Sequence, residues 1–383
     1  MKNSVPGAAY PGEPEFIPVY RPSLAGNEKK YVIECLDSTW ISSKGKFLPL
    51  FEEAFGSQVG VGYATAVANG TVAIHLALEV LGVGPGDEVI VPTLTYIASV
   101  NPIVQCGATP IFVDSRRDSW QLDPDDIRRR ITPRTRAIMA VHLYGHPADM
   151  QAIMAIAKEH DLLVVEDCAE AFGSRIGGRH VGTFGDVSAF SFFGNKTVTT
   201  GEGGMVAMND PALYDRAVHL KGQGLAKGRT YWHDLRGFNY RMTNICAAIG
   251  LAQLERAEEL IARKCHLAEW YDERLTGLPL KTHRPISSDI LHTYWMYSIL
   301  VDPEERDGLM RFLAGMGIET RPLFYPVHTM PMYSGNAQRY EVAEELAASG
   351  INLPSWPDLT EKQVERIAAA VGAGLAASSV RSL

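Results

Sequence analysis

The chain has 383 residues, of which 46% are hydrophobic and 21% are charged, so it is long enough for two or three packed domains and is not a disordered or fibrous chain. Its formal net charge of −8 gives no electrostatic reason to expect a nucleic acid or an anionic membrane as a partner. A phosphate on a ligand would have to be held by a local arrangement of amides and a few cations.

Cysteine usage and the N-terminal sequence indicate a cellular compartment. Five cysteines are spread through the chain without a CxxC pair, an odd count that is typical of a reducing compartment rather than of a disulfide framework. The first sixteen residues contain no apolar segment of the kind found in signal peptides, and no apolar run is long enough to span a bilayer. We therefore expect a cytoplasmic protein.

The predicted elements begin after a loose N-terminal arm. Residues 1–16 are rich in Pro, Gly and Glu, and the arm is assigned to residues 1–25. Helical spacing predicts a first helix from Asn27, which ends in the polar loop 39–46, and a second helix over residues 47–55. These two helices precede the segment in which strands begin.

Between about residues 64 and 210, apolar runs alternate with amphipathic ones. In chain order the patterns predict a helix, two strands, a helix, a strand, a helix and two strands, over VAIHLALEVLG, GPGDEVIVP, ATPIFVD, DPDDIRRRI, RAIMAVHLYG, DMQAIMAIAKEH, LLVVEDCAE and VSAFSFF. Elements that alternate at this spacing are typical of a mostly parallel sheet with helices on both faces. We therefore predict an α/β fold with a large domain over residues 26–250.

After about residue 244 the pattern becomes that of a smaller α+β domain, assigned to residues 251–383. The segment NICAAIGLAQLERAEELIARKCHLAEWYDERL predicts one long helix, because it contains no proline and only one glycine, Gly250. A strand, a helix, a strand and a closing helix follow, over TYWMYSILV, PEERDGLMRFLAGMG, IETRPLF and TEKQVERIAAAVGAGL. The long helix would connect the two domains.

Several common signatures are missing or misplaced. The glycines of GVGPG at residues 82–86 precede a strand, whereas a dinucleotide-binding fingerprint follows one. GNKT at residues 194–197 lacks the first glycine of a P-loop, and no HExxH, GxSxG or CxxC is present. The sequence therefore supports neither a metal site, nor a serine hydrolase, nor a nicotinamide oxidoreductase.

Four other features each allow a functional and a structural interpretation. Asn69, Gly70 and Thr71 begin a predicted helix, whose free N–H groups could hold a phosphate or form an ordinary N-terminal cap. Tyr96 follows the strand EVIVPTLTY and could stack on a flat ring or fill the core. Asp167 ends an apolar strand, where it could pair with a protonated heterocyclic nitrogen or cap the next turn.

The fourth feature is Lys196, which lies between an apolar strand and a glycine-rich turn. Such a lysine can lose solvation, which lowers its pKa and makes it an amine nucleophile toward an aldehyde, although most lysines are solvated surface groups. In chain order the four features are a phosphate cup, an aromatic plate, a strand-end carboxylate and a lysine. Together they match what pyridoxal 5'-phosphate requires of a protein.

The motifs around these residues resemble those of the DegT/DnrJ/EryC1/StrS family of sugar aminotransferases, which have the type I fold of pyridoxal-phosphate enzymes. The likeness runs from about Pro18 to the C-terminus. Its longest motifs are NEKKYVIECLDSTWISSKGKFLPLFEEAF, GPGDEVIVPTLTYIAS, VEDCAEAFGS, SFFGNKTVTTGEGGM and GFNYRMTNICAAIGLAQLE. The resemblance implies a large domain with a mostly parallel mixed sheet and a small C-terminal α+β domain.

The resemblance also implies roles for individual residues. Lys196 would hold the cofactor covalently and then move a proton between the amino donor and the cofactor, while Asp167 would pair with the ring nitrogen. Tyr96 would stack on the ring, and Glu170 would lie near the ring hydroxyl. Asn239 would reach the phosphate bound by a neighbouring subunit, which implies a homodimer. The residues expected to hold the phosphate within one subunit are Gly70, Thr71 and Ser191.

For the reaction, the resemblance implies transfer of an amino group from L-glutamate to C4 of a nucleotide-linked 4-keto-6-deoxy sugar, for surface polysaccharide such as O-antigen. The first expectation is GDP-4-keto-6-deoxy-D-mannose; a UDP- or dTDP-linked sugar is the alternative, and a non-catalytic cofactor-binding relative is a further one. The dehydratase branch has histidine in place of Lys196. Residues expected to contact substrate are Trp40, Ser42, Ser43, Arg321, Tyr325 and His328.

Overall fold

Helices and strands alternate through most of the chain in the computed structural model, which describes residues 16–335 and 338–379. The predicted N-terminal arm lies outside the described residues as far as residue 15. None of the described helices is long and apolar enough to cross a bilayer. In chain order the α-helices are α1 (Glu28–Asp37), α2 (Phe47–Val59), α3 (Gly70–Val80), α4 (Asn101–Gln105), α5 (Pro124–Arg130), α6 (Met150–His160), α7 (Pro211–Lys221), α8 (Asn244–Leu254), α9 (Ala257–Leu275), α10 (Pro303–Gly315), α11 (Glu341–Ser349) and α12 (Glu361–Ser379).

The strands form three sheets, with the orders β1-β9-β8-β5-β4-β2-β3, β10-β12-β14-β13 and β11-β6-β7. Each of the eight elements predicted between residues 64 and 210 is present. The strands are β1 (Tyr63–Val67), β2 (Glu88–Pro92), β3 (Thr109–Val113), β4 (Thr135–Val141), β5 (Leu163–Asp167), β6 (Arg175–Ile176), β7 (Arg179–His180), β8 (Val187–Ser191), β9 (Gly204–Met208), β10 (Lys281–Thr282), β11 (Ile290–Leu291), β12 (Tyr297–Leu300), β13 (Arg321–Pro322) and β14 (Gly350–Leu353).

The seven-stranded sheet is mostly parallel, as predicted, which confirms the α/β fold class. The pairs β2–β3, β2–β4, β4–β5 and β5–β8 are parallel, and β9 is antiparallel to both of its neighbours, β1 and β8. Six strands therefore run in one direction and place their carboxyl ends at the same edge. In open α/β sheets that edge is where ligands bind.

Burial on both faces of this sheet explains its apolar strands. On one face Val165 of β5 packs into a core with Leu76 of α3, and on the other Val164 packs into a core with Ile153 of α6. Successive side chains of a strand point to opposite faces, so those of Glu166 and Asp167 also lie on different faces of the sheet. Asp167 accordingly lies on the α3 side of the sheet, and Glu166 on the α6 side.

A second core lies under the four-stranded antiparallel sheet, where α9, α10 and α12 pack. The described start of the chain joins this core rather than the central sheet. Ile17 is fully buried in it and pairs with Ile318 through a backbone bridge, in which the Ile17 N–H donates to the Gly317 carbonyl over 2.8 Å. The predicted domain limits at residues 25 and 250 stay predictions.

The prediction of one unbroken helix from residue 244 onwards is wrong. The helix ends at Leu254 and a new one begins at Ala257, with Arg256 at φ −116° and ψ 8° between them. Tertiary packing accounts for the break, because α8 packs against α1 and α2 while α9 packs against α12. No glycine or proline marks the change of direction, so helix propensity alone could not place it.

Glu166 ties the end of β5 to the loop that leads into β8. Its side chain is fully buried, where a charge is stable only if it is well paired. Burial alone would raise the pKa of Glu166, but hydrogen bonds from His142 and the backbone outweigh it and lower that pKa. The donors are His142 Nε2 at 3.1 Å and the amides of Gly182, Phe184 and Gly185 at 2.7, 2.7 and 2.6 Å.

We predict that Glu166→Gln lowers the free energy of unfolding by about 3 kcal/mol, because an amide cannot accept from all of these donors. The depressed pKa means that this stabilisation is present above the unfolded pKa of a glutamate and is lost as pH falls through the folded value. Urea unfolding from pH 7 to below pH 4 measures both effects, because the folded pKa lies below the ordinary value of a glutamate. The exposed Glu304→Gln is the matched control, and equal stability of the two variants would contradict the prediction.

Candidate active site

A cavity of about 540 Å³ opens at the carboxyl edge of the central sheet. The turns after β1, β2, β5 and β8 meet there, because the six parallel strands end at this edge. The structure brings together seven of the residues that the sequence predicted. Those that line the cavity are Gly70, Thr71, Tyr96, Asp167, Glu170, Ser191 and Lys196.

One end of the cavity is the N-terminus of α3. Asn69 caps this helix, and its side-chain oxygen accepts from the Val72 amide over 3.0 Å. The amides of Gly70 and Thr71 lie in the first turn, where a helix provides no carbonyl for them. Gly70 packs so closely on Ser191, at the end of β8, that a Cβ on it would lie 2.7 Å from the serine Cβ. Amides and a hydroxyl therefore converge where an anion can bind.

At the middle of the cavity, both oxygens of the Asp167 carboxylate accept a hydrogen bond. The Ala169 amide donates to Oδ1 over 3.0 Å, and the Ser99 hydroxyl donates to Oδ2 over 2.7 Å. Ser99 is in turn 2.8 Å from the Thr95 hydroxyl. Sequence reasoning missed Thr95 and Ser99. The sequence could have indicated them, because both lie in TLTYIAS, directly after the strand β2, which ends at the same edge of the sheet as β5.

Glu170 and Lys196 form a buried pair beside Asp167. Lys196 Nζ lies 3.9 Å from Glu170 Oε1, and the other Glu170 oxygen accepts from the Tyr144 amide over 2.8 Å. Burial lowers the pKa of the Lys196 amine, while the charges of Glu170 and Asp167 act in the opposite direction. Burial also raises the pKa of the Glu170 carboxyl, against the effect of Lys196. The lysine is thus closer to a neutral nucleophile than a surface lysine is.

Aromatic rings form the outer wall of the cavity. Tyr96 follows β2 and is 56% exposed, with its ring centroid 5.5 Å from that of Phe324. A flat ligand could lie against Tyr96, as predicted from the sequence. Trp295 lines the wall next to Lys196 and was missed, because its segment lies a hundred residues further along the chain.

The residues predicted to contact substrate do not line this cavity in the described part of a single chain. Trp40 lines a separate cavity with Asn244, whose side-chain amide donates to the Trp40 carbonyl over 2.7 Å. Ser42 is exposed in the same loop, and its carbonyl accepts from the Asn244 backbone amide. Ser43 follows it and is half-buried. These roles stay predictions.

The remaining predicted residues also lie outside the wall of the cavity. Asn239 is held by Arg241, whose Nε donates to its side-chain oxygen over 3.0 Å. Arg321 forms an exposed ion pair with Glu319, and Tyr325 is exposed next to Phe324. His328 is buried, with Nδ1 2.7 Å from the Thr93 hydroxyl and Nε2 3.4 Å from Glu344 Oε1. Their roles, too, stay predictions.

The cavity residues fit pyridoxal phosphate. The close contact of Gly70 with Ser191 brings the serine hydroxyl next to the amides at the start of α3, and Asp167 is held in place by two donors. The side-chain oxygen of Asn195, next to Lys196, is buried with no hydrogen-bond partner among the described residues. Fold and cavity together define the class of protein, a pyridoxal-phosphate-dependent aminotransferase.

Comparison with known proteins agrees with this class. Residues 22–372 match the DegT/DnrJ/EryC1/StrS aminotransferase family. The chain is 62% identical over 351 residues to the GDP-perosamine synthase of Escherichia coli O157:H7, which covers 91% of this chain and 96% of that protein. It is 52% identical over 356 residues to the GDP-perosamine synthase of Vibrio cholerae, covering 92% and 97%.

The aminotransferase TlmJ from Streptoalloteichus hindustanus, a solved structure, is 33% identical and matches with a TM-score of 0.91, covering 95% of this chain and 100% of that one. This chain therefore belongs to the DegT/DnrJ/EryC1/StrS aminotransferase family. The family predicted from the motifs is confirmed, and so is its dependence on pyridoxal phosphate.

We predict that Gly70→Ala weakens binding of pyridoxal phosphate at least about tenfold, which corresponds to about 1.4 kcal/mol. A methyl group at this position would meet Ser191 at 2.7 Å, so the helix start or the serine must move out of place. Fluorescence titration of the cofactor-free protein measures the affinity. Gly308→Ala, where the new methyl group meets open space, is the control. Unchanged affinity in Gly70→Ala would contradict a phosphate site here.

We predict that Glu170→Gln shifts covalent capture of pyridoxal phosphate to lower pH. The Glu170 carboxylate favours the charged form of Lys196, so removing that charge lowers the pKa of the amine further. More of the reactive neutral amine is then present at a given pH. The rate of appearance of the visible absorption band, measured across pH, tests this. A shift to higher pH would contradict it, and Glu304→Gln should leave the profile unchanged.

Proposed function

We propose that this enzyme transfers the amino group of L-glutamate to C4 of GDP-4-keto-6-deoxy-D-mannose, giving GDP-perosamine for surface polysaccharide synthesis. The single observation that carries the reaction type is the buried Lys196 amine beside Asp167 and Glu170 in the cavity. The choice of sugar is supported by the similar proteins, since relatives 62%, 52% and 48% identical are named GDP-perosamine synthase.

Pyridoxal phosphate, when bound, supplies an electron sink for the negative charge that develops at the donor carbon. Asp167 would keep the ring nitrogen protonated, since both of its oxygens are fixed by donors and its side chain is buried. Gly70, Thr71 and Ser191 bind the phosphate. Lys196 would hold the cofactor through Nζ, the amine that reaches into the cavity.

Proton movement is assigned to the same lysine. Once its amine is free, Lys196 Nζ would take the proton from Cα of glutamate and deliver it to the carbon that was the cofactor's aldehyde carbon, and it would make the reverse transfer for the sugar. Its lowered pKa favours this exchange, because more of the amine is neutral at a given pH than in a solvated lysine. Glu170, 3.9 Å away, stabilises the charged form of the amine between the two transfers.

We also propose that the enzyme acts as a homodimer in the cytoplasm. Support for a dimer comes from an exposed apolar face on α1, α2 and the loop between them, where a second copy would exclude water. The same loop carries Ser42 and Ser43, which are predicted to contact substrate but do not line the cavity of their own chain. All five cysteines are free thiols, which suits a reducing compartment. The apolar face consists of Ile33, Leu36, Trp40, Ile41 and Leu50, between 42% and 55% exposed.

The absorption spectrum of the purified enzyme tests the proposal. We expect a visible band that bleaches with L-glutamate and returns with GDP-4-keto-6-deoxy-D-mannose, and no band or turnover in Lys196→Ala or Lys196→Arg. Wild-type rates in either variant would contradict the role of Lys196.

A parallel series with UDP- and dTDP-linked 4-keto-6-deoxy sugars tests the nucleotide. Faster return of the band with one of these sugars would overturn the choice of GDP while leaving the reaction type intact. Bleaching by glutamate with no return for any keto sugar would contradict a sugar acceptor of this kind. A bound cofactor that glutamate does not bleach would indicate a non-catalytic relative.

A further inference from the structure

Trp295 makes two contacts with the segment that carries the lysine. Its indole Nε1 donates to the Asn195 carbonyl over 2.7 Å, and its ring centroid lies 3.6 Å from Lys196 Nζ. The side chain is buried, with 4% exposed. An ammonium group at this distance from the face of a desolvated indole is attracted by the electrons of the ring. One side chain thus holds both the backbone before the lysine and the amine at its end.

The backbone of Lys196 is fixed from a second direction. The Tyr20 hydroxyl donates to the Lys196 carbonyl over 2.7 Å, and the Lys196 amide donates to the Phe193 carbonyl over 2.9 Å. With its peptide groups bonded on both sides, the lysine can move only through its side-chain torsions. The position of the free amine then depends on what lies around the end of the side chain, which is Trp295 on one side and Glu170 on the other.

Trp295 is itself anchored by a buried lysine. Lys264 of α9 is fully buried, and its side-chain nitrogen donates to the Trp295 carbonyl over 3.1 Å. Its other acceptors are the carbonyl and hydroxyl oxygens of Ser355, so all three are neutral oxygens. The Trp295 ring also stacks on Tyr144, with the ring centroids 6.1 Å apart and the planes at 12°. The indole therefore presents a fixed face to the cavity.

We propose that Trp295 is a positioning residue for Lys196: its N–H fixes the peptide before the lysine, and its ring holds the ε-amine close to Glu170 whenever that amine is not bound to the cofactor. This inference rests on the proposed catalytic role of Lys196. Without the ring, the amine can leave its place between indole and carboxylate, and the frequency of productive proton transfer falls.

Nuclear magnetic resonance of the full-length enzyme, with lysine labelled by carbon-13 at Cε, tests the position directly. Ring current from the indole should place the Lys196 Hε resonances upfield of those of Lys46 and Lys30, whose nitrogens lie 5.0 and 5.8 Å from their nearest ring centroids. Lys196→Arg identifies the signal. It is recorded in the cofactor-free protein and again after treatment of the loaded enzyme with L-glutamate, when the amine is free.

Two substitutions separate the contacts of Trp295. In Trp295→Phe a ring face remains and the N–H is lost, so the Lys196 signal should stay partly upfield and kcat should fall by no more than about threefold. In Trp295→Leu both contacts are lost, so the signal should join those of solvated lysines and kcat should fall roughly ten- to a hundredfold, with KM for glutamate within about twofold of wild type. Trp270→Leu, outside the cavity, should change neither the signal nor kcat.

The outcomes keep this inference distinct from the proposed function. Suppose that the visible band depends on Lys196. The role of Trp295 alone would then be overturned if the Lys196 signal of the wild type is not upfield, or if Trp295→Leu leaves that signal in place. Absence of the band in the wild type would instead overturn the role of Lys196. If Trp295→Leu lowers the melting temperature severely, Trp295→Phe provides the test instead. In that variant, a Lys196 signal at the position of solvated lysines, together with full loss of activity, would also contradict the inference.

Discussion

A lysine amine and two carboxylates share one cavity, and their removal from water is the constraint on which the remaining structure depends. Charged groups removed from water must be paired or lose their charge. Asp167 retains hydrogen bonds from Ser99 and Ala169, Glu170 accepts from the Tyr144 amide, and Lys196 lies between Glu170 and an indole ring. The same burial that makes this arrangement costly lowers the pKa of the lysine, which is what an amine nucleophile and proton carrier requires.

The central sheet satisfies this constraint by bringing the ends of separate strands together. Since six of its seven strands run in the same direction, β1, β5 and β8 deliver a phosphate cradle, a carboxylate and a serine to one edge. The strands themselves are apolar because both faces of the sheet are covered. The two faces differ sharply at the end of β5. Glu166 accepts hydrogen bonds from loop amides on the α6 side, whereas Asp167 points to the other face and lines the cavity.

Segments adjoining the second core complete the cavity from outside the central sheet. The segment just before β12 supplies Trp295, and the described start of the chain supplies Tyr20; both hold the backbone around Lys196. Lys264 joins that segment to α9 through buried hydrogen bonds to neutral oxygens. Parts of the chain that carry none of the reacting groups therefore determine where the reacting amine lies, which links the packing of the smaller core to the geometry of the cavity.

The sequence by itself determined the fold class, the eight elements between residues 64 and 210, the family and the cofactor, because apolar periodicity and long ordered motifs are local properties. It also singled out seven of the residues that line the cavity. Only the tertiary structure decided the break at Arg256 and the contributions of Ser99 and Trp295. Helix direction at Arg256 depends on packing partners that are distant in sequence. Ser99 approaches Asp167 across about seventy residues of chain, and Trp295 approaches Lys196 across about a hundred, so only the folded chain brings each pair together.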